Sequence, residues 1–236
     1  MKRFYTLVST KKTPAGFEIA LDGRSVKTPA GAFLCAPNEA LAEAIVLEWA
    51  GQEGEIKPDT MPLTQILHTQ QDQVRVQRPA MTSALLKFLD TDLLCYRCGP
   101  QPEGLADRQA ALWDPCLDWF GKRFGTPLQT TTRLSALKHP EAVHKAVAAF
   151  IAGLDAARFT LLQILTPLSG SLVLGLAFVE GMISAEAVFS VMRVEEHFKA
   201  ELYNEAFYGP DPAQEKKDQA IRRDLAAAEL FLKAIR

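Results

Sequence analysis

No apolar run in this sequence is long enough to cross a bilayer. The longest, "LVLGLAFV" from Leu172 to Val179, falls well short of the roughly 20 residues that a spanning helix requires, and reads as a buried core helix. Charge of one sign is missing too. Lys and Arg number 26 against 28 Asp and Glu in 236 residues, a formal net charge of −2. Proteins that grip nucleic acid carry a clustered basic excess, so no such partner is implied. The mixed-sign stretch "DPAQEKKDQAIRRDLAAAE" reads as the solvated face of a helix. The opening "MKRFYTLVST" lacks the apolar centre of a signal peptide and alternates like a strand. The expected location is the cytoplasm of a bacterium, or that of a matured form whose address has been removed.

Catalytic patterns are equally scarce. There is no Gly-rich phosphate loop, no His-Glu-x-x-His pair and no nucleophile elbow. "SALK", Ser135 to Lys138, matches Ser-x-x-Lys without its companion motifs. Glu141 and His144 form one Glu-x-x-His pair, where helical di-metal sites use two. His68 and His197 have no ligand pattern around them. Of four cysteines, only Cys95 and Cys98, in "CYRC", are close in sequence. A structural zinc takes two such pairs, and a redox Cys-x-x-Cys opens a helix after a strand. Neither context is present, so Cys95 is read as packed inside and Cys98 as incidental. A thiol- or metal-dependent enzyme around Cys95 and Cys98, with Cys116 as a third group, stays open as an alternative. So does a helical adaptor with another partner. Trp113 and Trp119 lie six apart and do not share a helix face cleanly, which suits one core and one partly exposed ring.

The sequence does hold two kinds of order. Its first third is β-rich: "RFYTLVS", the loop "TKKTPAG", then "FEIAL". Asp22-Gly23 is a strong two-residue hairpin signal, because a type I′ turn needs positive φ. "RSVKT", a turn "PAG" and "AFLCA" complete a meander. Asn38 is a good N-cap for the first helix, whose Leu41, Ile45 and Trp49 form one apolar stripe. After the linker "EGEIKPDTMP" the pattern turns helical: residues 63–76, 80–89, 102–124, 139–154, 157–181, 184–207 and 212–235. Pro115 should kink or split its segment, and Pro167 with Gly170 should divide theirs. Ser184 should cap the helix after it. The expected fold class is α+β: a small N-terminal β-meander domain with a packed helix, residues 1–78, then a larger all-helical orthogonal bundle, residues 79–236.

Several stretches occur in a telling order: "RFY", "LDGRSVKTPAGAFL", "ALAEAIVLEWAGQ", "IKPDTMPLTQIL", "TDLLCYR", "RQAALWDP", "GSLVLGLAFVEG" and "FLKAI". The series resembles the assembly chaperone of the F-type ATP synthase that attends the α subunit of the catalytic head. The resemblance runs from about Arg3 to the C-terminus. It implies a β-containing N-terminal domain followed by a helical bundle, with no enzymatic activity, cofactor or metal. It implies binding of the free α subunit, whose apolar surface would be shielded until a β subunit arrives, and a monomer fits that role. Trp49 matches the tryptophan of the family's Glu-Trp-x-x-Gln, and Glu195-Glu196 match an acidic position of a late helix, the expected partner-binding pair. Asp22, Gly23, Arg24, Asp92, Arg97 and Trp113 match family positions read as structural. Tyr203-Asn204 stands where the family often has Trp-Gly, with extra residues after it, so segment 203–215 departs. His68 replaces a family Asn.

Overall fold

The computed structural model describes residues 1–203, 209 and 211–235. They form a small antiparallel sheet and a series of helices. The strands are β1 (Val8–Thr13), β2 (Gly16–Leu21), β3 (Arg24–Ser25) and β4 (Cys35–Ala36). Among the helices, α1 is Glu39–Ala50, α2 Pro62–His68, α3 Arg75–Lys87, α4 Leu105–Phe124 and α5 Glu141–Gly153. The rest are α6 (Ala156–Ser169), α7 (Leu172–Val179), α8 (Ala185–Met192), α9 (Val194–Leu202) and α10 (Pro212–Ala234).

Two compact units are discernible. One takes Met1–Arg78 together with Asp155–Thr160 and Ala227–Arg236; the other takes Pro79–Leu154 and Leu161–Ala226. In the first, β2 is the central strand. It pairs along its whole length with β1, from Val8↔Leu21 to Thr13↔Gly16. Its other edge is shared by β3, at Ala20↔Ser25, and β4, at Phe17↔Ala36. Asp22 (φ 48°) and Gly23 (φ 78°) make the expected tight turn. The first hairpin differs from expectation. Strand pairing runs through "TKKT", and only Pro14 and Ala15 remain as turn. Thr10, Lys11 and Lys12 are exposed on an edge strand, where polar residues suffice, so that stretch reads as a loop. The side of α1 that carries Leu41, Ile45 and Trp49 is buried, as its stripe requires.

In the helical region the prolines do less than expected. Pro79, Pro115 and Pro167 all lie inside continuous helices. Each is exposed, so the carbonyl deprived of its N–H donor can turn to water, which removes most of the penalty. A six-residue π-helical segment, Thr69–Val74, joins α2 to α3. Gly170, at φ 70°, does separate α6 from α7. The segment expected as one helix over 184–207 breaks at Arg193 (φ −108°, ψ 10°), between α8 and α9. Arg193 is only 4% exposed. Its guanidinium meets Glu196 at 2.8 Å and Asp218 at 3.0 Å, and a buried cation needs such partners.

Candidate functional site

The family-matched motifs of the first unit interlock. Glu48 of α1 accepts hydrogen bonds from the backbone N–H of Leu63 (2.7 Å) and Thr64 (2.8 Å) and from the Thr64 hydroxyl (2.8 Å). It thereby caps α2, whose own N-cap residue, Met61, supplies no side-chain bond. Burial holds the Glu48 carboxyl above its ordinary range, against the pull of those donors. Gln52, almost fully buried, accepts from Lys57 N–H and donates to the Thr60 hydroxyl and the Glu48 carbonyl. "EWAGQ" and "TMPLT" therefore hold each other. Trp49 is 8% exposed. The Tyr5 hydroxyl donates to its carbonyl at 2.7 Å, and the two rings lie 5.9 Å apart. Asp22 accepts from the backbone N–H of Leu7 (2.8 Å) and Thr6 (3.1 Å), which hold its carboxyl below the ordinary range. Arg24 is exposed and pairs with Leu21 through backbone alone. His68 is half-buried, and burial lowers its pKa.

In the second unit "TDLLCYR" is a buried junction. Asp92, at 0% exposure, accepts from Leu94 N–H (3.1 Å), the Ser171 hydroxyl (2.7 Å) and Val173 N–H (3.0 Å). Burial raises its carboxyl to about 6. Cys95 is fully buried. Burial pushes its thiol well up, and pushes that of Cys116 up to about 11. That is opposite to the shift that makes a reactive thiolate. Cys98 takes part through its backbone, whose N–H donates to Gln109. Arg97 lies over the Trp113 ring at 5.1 Å and pairs with Asp114. Trp113 is fully buried and donates from Nε1 to the Val191 carbonyl at 2.9 Å, while Trp119 is half-buried. Among the described residues no three His, Cys, Asp or Glu side chains are grouped to hold a metal ion.

Glu195 and Glu196 open α9 but face different neighbours. Glu195 accepts from Gln109 Nε2 at 2.8 Å, and no cation pairs with it among the described residues; Glu196 is tied to Arg193. With α4 and α8, α9 also borders a groove of about 230 Å³ that neither glutamate lines. Ala111, Leu112 and Val194 give it apolar walls, and Ser190 and His197 line it further. Arg108 and Glu201 line it as well, joined in a two-pronged ion pair at 2.8 and 2.6 Å. Apolar residues are exposed here: Leu112 on α4, Leu202 in the last turn of α9 and Tyr203 just after it. The sequence reading named the two glutamates, set His197 aside for want of a ligand pattern, and missed Arg108, Gln109, Leu112 and Arg193. The lone Arg193 within "VFSVMRV" carried a usable signal, a single cation inside an apolar run. The others had none, since they come together only by packing. The departing segment 203–215 is described at Tyr203, Gly209 and 211–215 only; the rest of it lies outside the described residues.

With this geometry in place, the likeness to known proteins is informative. Residues 2–121 match the family model of the ATP12 chaperone protein. Over 99% of its length the chain is 22% identical to mitochondrial protein atp12 of Schizosaccharomyces pombe, covering 83% of that protein. The crystal structure of Atp12 from Paracoccus denitrificans superposes with a TM-score of 0.85 at 34% identity, over 100% of this chain and 98% of that one. The Agrobacterium tumefaciens protein Atu1473 gives 0.88 at 31% identity, over 100% and 86%. A small antiparallel sheet followed by helices is thus the fold of a class of α+β chaperones. The chain belongs to the ATP12 chaperone protein family. No helix among the described residues is long and apolar enough to cross a membrane.

Proposed function

We propose that this protein is an assembly chaperone of the F-type ATP synthase that binds the unassembled α subunit. It shields the apolar surface of α that faces β until the catalytic head forms. The observation that carries this reading is the match to ATP12 proteins across nearly the whole chain. An unassembled ring subunit exposes apolar area that would otherwise self-associate. Covering it takes an interface on the order of 1,600 Å² in total, with a polar rim so that it can be exchanged. Surface features of that kind are Glu195 and Glu196 in the first turn of α9, and the exposed Leu112, Leu202 and Tyr203. The protein acts by binding rather than by catalysis, as a monomer, in the bacterial cytoplasm or the mitochondrial matrix.

Size-exclusion chromatography of the protein mixed with isolated α subunit tests this. A one-to-one complex with α, and none with isolated β, is the expected result. Retention of β in place of α, or no complex with either, overturns it.

A further inference from the structure

We infer that Ser135 is a phosphorylation site, accepting the γ-phosphoryl group of ATP from a protein kinase that reads basic residues on both sides of the serine. The inference stands apart from the α-subunit reading, which does not involve this loop.

The chain has eight serines, and the structure sets seven of them aside. Ser169 and Ser171 are buried. Ser83 and Ser190 lie in helices, where their hydroxyls donate to the carbonyls of Pro79 and Glu186. Ser25 donates to Glu18, and Ser184 accepts from Ala187 N–H as the cap of α8. Ser9 is paired with Ala20 in the sheet. A kinase closes over an uncovered stretch of chain and needs a free hydroxyl on it. Ser135 offers both. Residues 132–136 are all exposed and outside helix and strand, and the Ser135 hydroxyl has no partner among the described residues. Leu134, next to it, is fully exposed.

The loop is held by its feet. Thr131 accepts from Arg97 N–H and donates to the Cys95 carbonyl, both at 2.8 Å. The Leu137 N–H donates to the Tyr96 hydroxyl at 3.1 Å, and the His139 N–H to Asp90 at 3.0 Å. Between the feet the Arg133 N–H is engaged by the Thr131 hydroxyl, and the rest of the tip is uncommitted. A tip of this kind projects from a fixed base, as functional loops do.

Charge supplies the selectivity. Arg133 stands two residues before Ser135 and Lys138 three after it, and neither side chain pairs with an acid among the described residues. Kinases choose substrates by such charge patterns. The same two cations suit the product. A phosphoserine brings a charge of about −1.5 to −2 and three acceptor oxygens, and an arginine grips phosphate with two parallel bonds. In the transfer, Ser135 Oγ bonds to the γ-phosphorus as the bond to the bridging oxygen of ADP breaks. The hydroxyl proton passes to the catalytic-loop Asp of the kinase.

The test incubates the full chain with ATP, Mg²⁺ and the catalytic domain of protein kinase C, which selects serines flanked by basic residues. Peptide mass spectrometry should place one phosphate on Ser135, and Ser135→Ala should take up none. All three side chains are in the exposed loop or at its foot, so melting temperatures should stay within about 2 °C of the parent. The double variant Arg133→Ala, Lys138→Ala should be modified about tenfold more slowly. Trypsin should cut after Arg133 in the unmodified protein and more slowly once the phosphate engages that side chain. No phosphate on the parent, or equal uptake by Ser135→Ala, overturns the site. An unchanged rate in the double variant overturns the reading of the flanking cations. Equal cutting of the two forms by trypsin overturns the grip of Arg133 on the phosphate.

Discussion

At the scale of single residues, Asp92 carries the most weight. It collects three donors in a water-free place. Asp92→Ala would strand all of them, at a cost of about 3–5 kcal/mol. Asp92→Asn separates geometry from charge, because it can still accept from two donors but cannot ionise. The native carboxyl sits near 6 against an ordinary 3.8, so the folded state holds its proton more tightly than the unfolded chain does. Asp92 therefore adds stability as pH falls from about 6 to 4 and loses that contribution above 6. Urea unfolding at pH 7 and pH 5 should show the parent gaining about 1 kcal/mol over Asp92→Asn on acidification. A gap that narrows at pH 5 would contradict the burial argument. The motif containing Asp92 was legible from sequence, but its purpose was not. Ser171 and Val173 lie about eighty positions away, and no local periodicity reports such a partner.

At the scale of elements, Glu48 shows one helix finishing another. Glu48→Ala removes the only side-chain cap that α2 receives from α1 and should cost about 1–2 kcal/mol. Guanidinium unfolding would measure it, and Glu48→Gln should recover part of the loss. Element types were mostly readable: the Asp22-Gly23 turn, the Asn38 and Ser184 caps and the Gly170 break all stand where their chemistry puts them. Boundaries failed where exposure decides. Polar "TKKT" is strand because an edge demands little of its outer face. Three prolines sit within helices because their freed carbonyls meet water. Arg193 ends α8 because its charge must reach Glu196 and Asp218, a tertiary demand that helix propensity does not encode.

At the scale of the whole molecule, the groove illustrates the limit of reading in one dimension. Its charged members were visible as letters, but their convergence depends on α4 meeting α8 and α9. The same holds for the first unit. Asn38 caps α1 through its side-chain oxygen and donates from its nitrogen to the Ala234 carbonyl at 2.6 Å, 196 positions on. Phe231 and Leu232 of that unit are buried. A chain ending at residue 226 should therefore leave the first unit sensitive to protease, even with β1 to α2 complete. Limited trypsin digestion would show it, and full protection of residues 1–78 in that truncation would refute it. This has a consequence in time. The contacts of Glu48 and Gln52 span fewer than twenty positions and can form early. The bond to Ala234 has to await a stretch 196 positions further along the chain. A protein meant to guard an unfinished assembly is thus itself unfinished while it is being made, because its first unit stays incomplete until a segment 196 positions downstream has been synthesised.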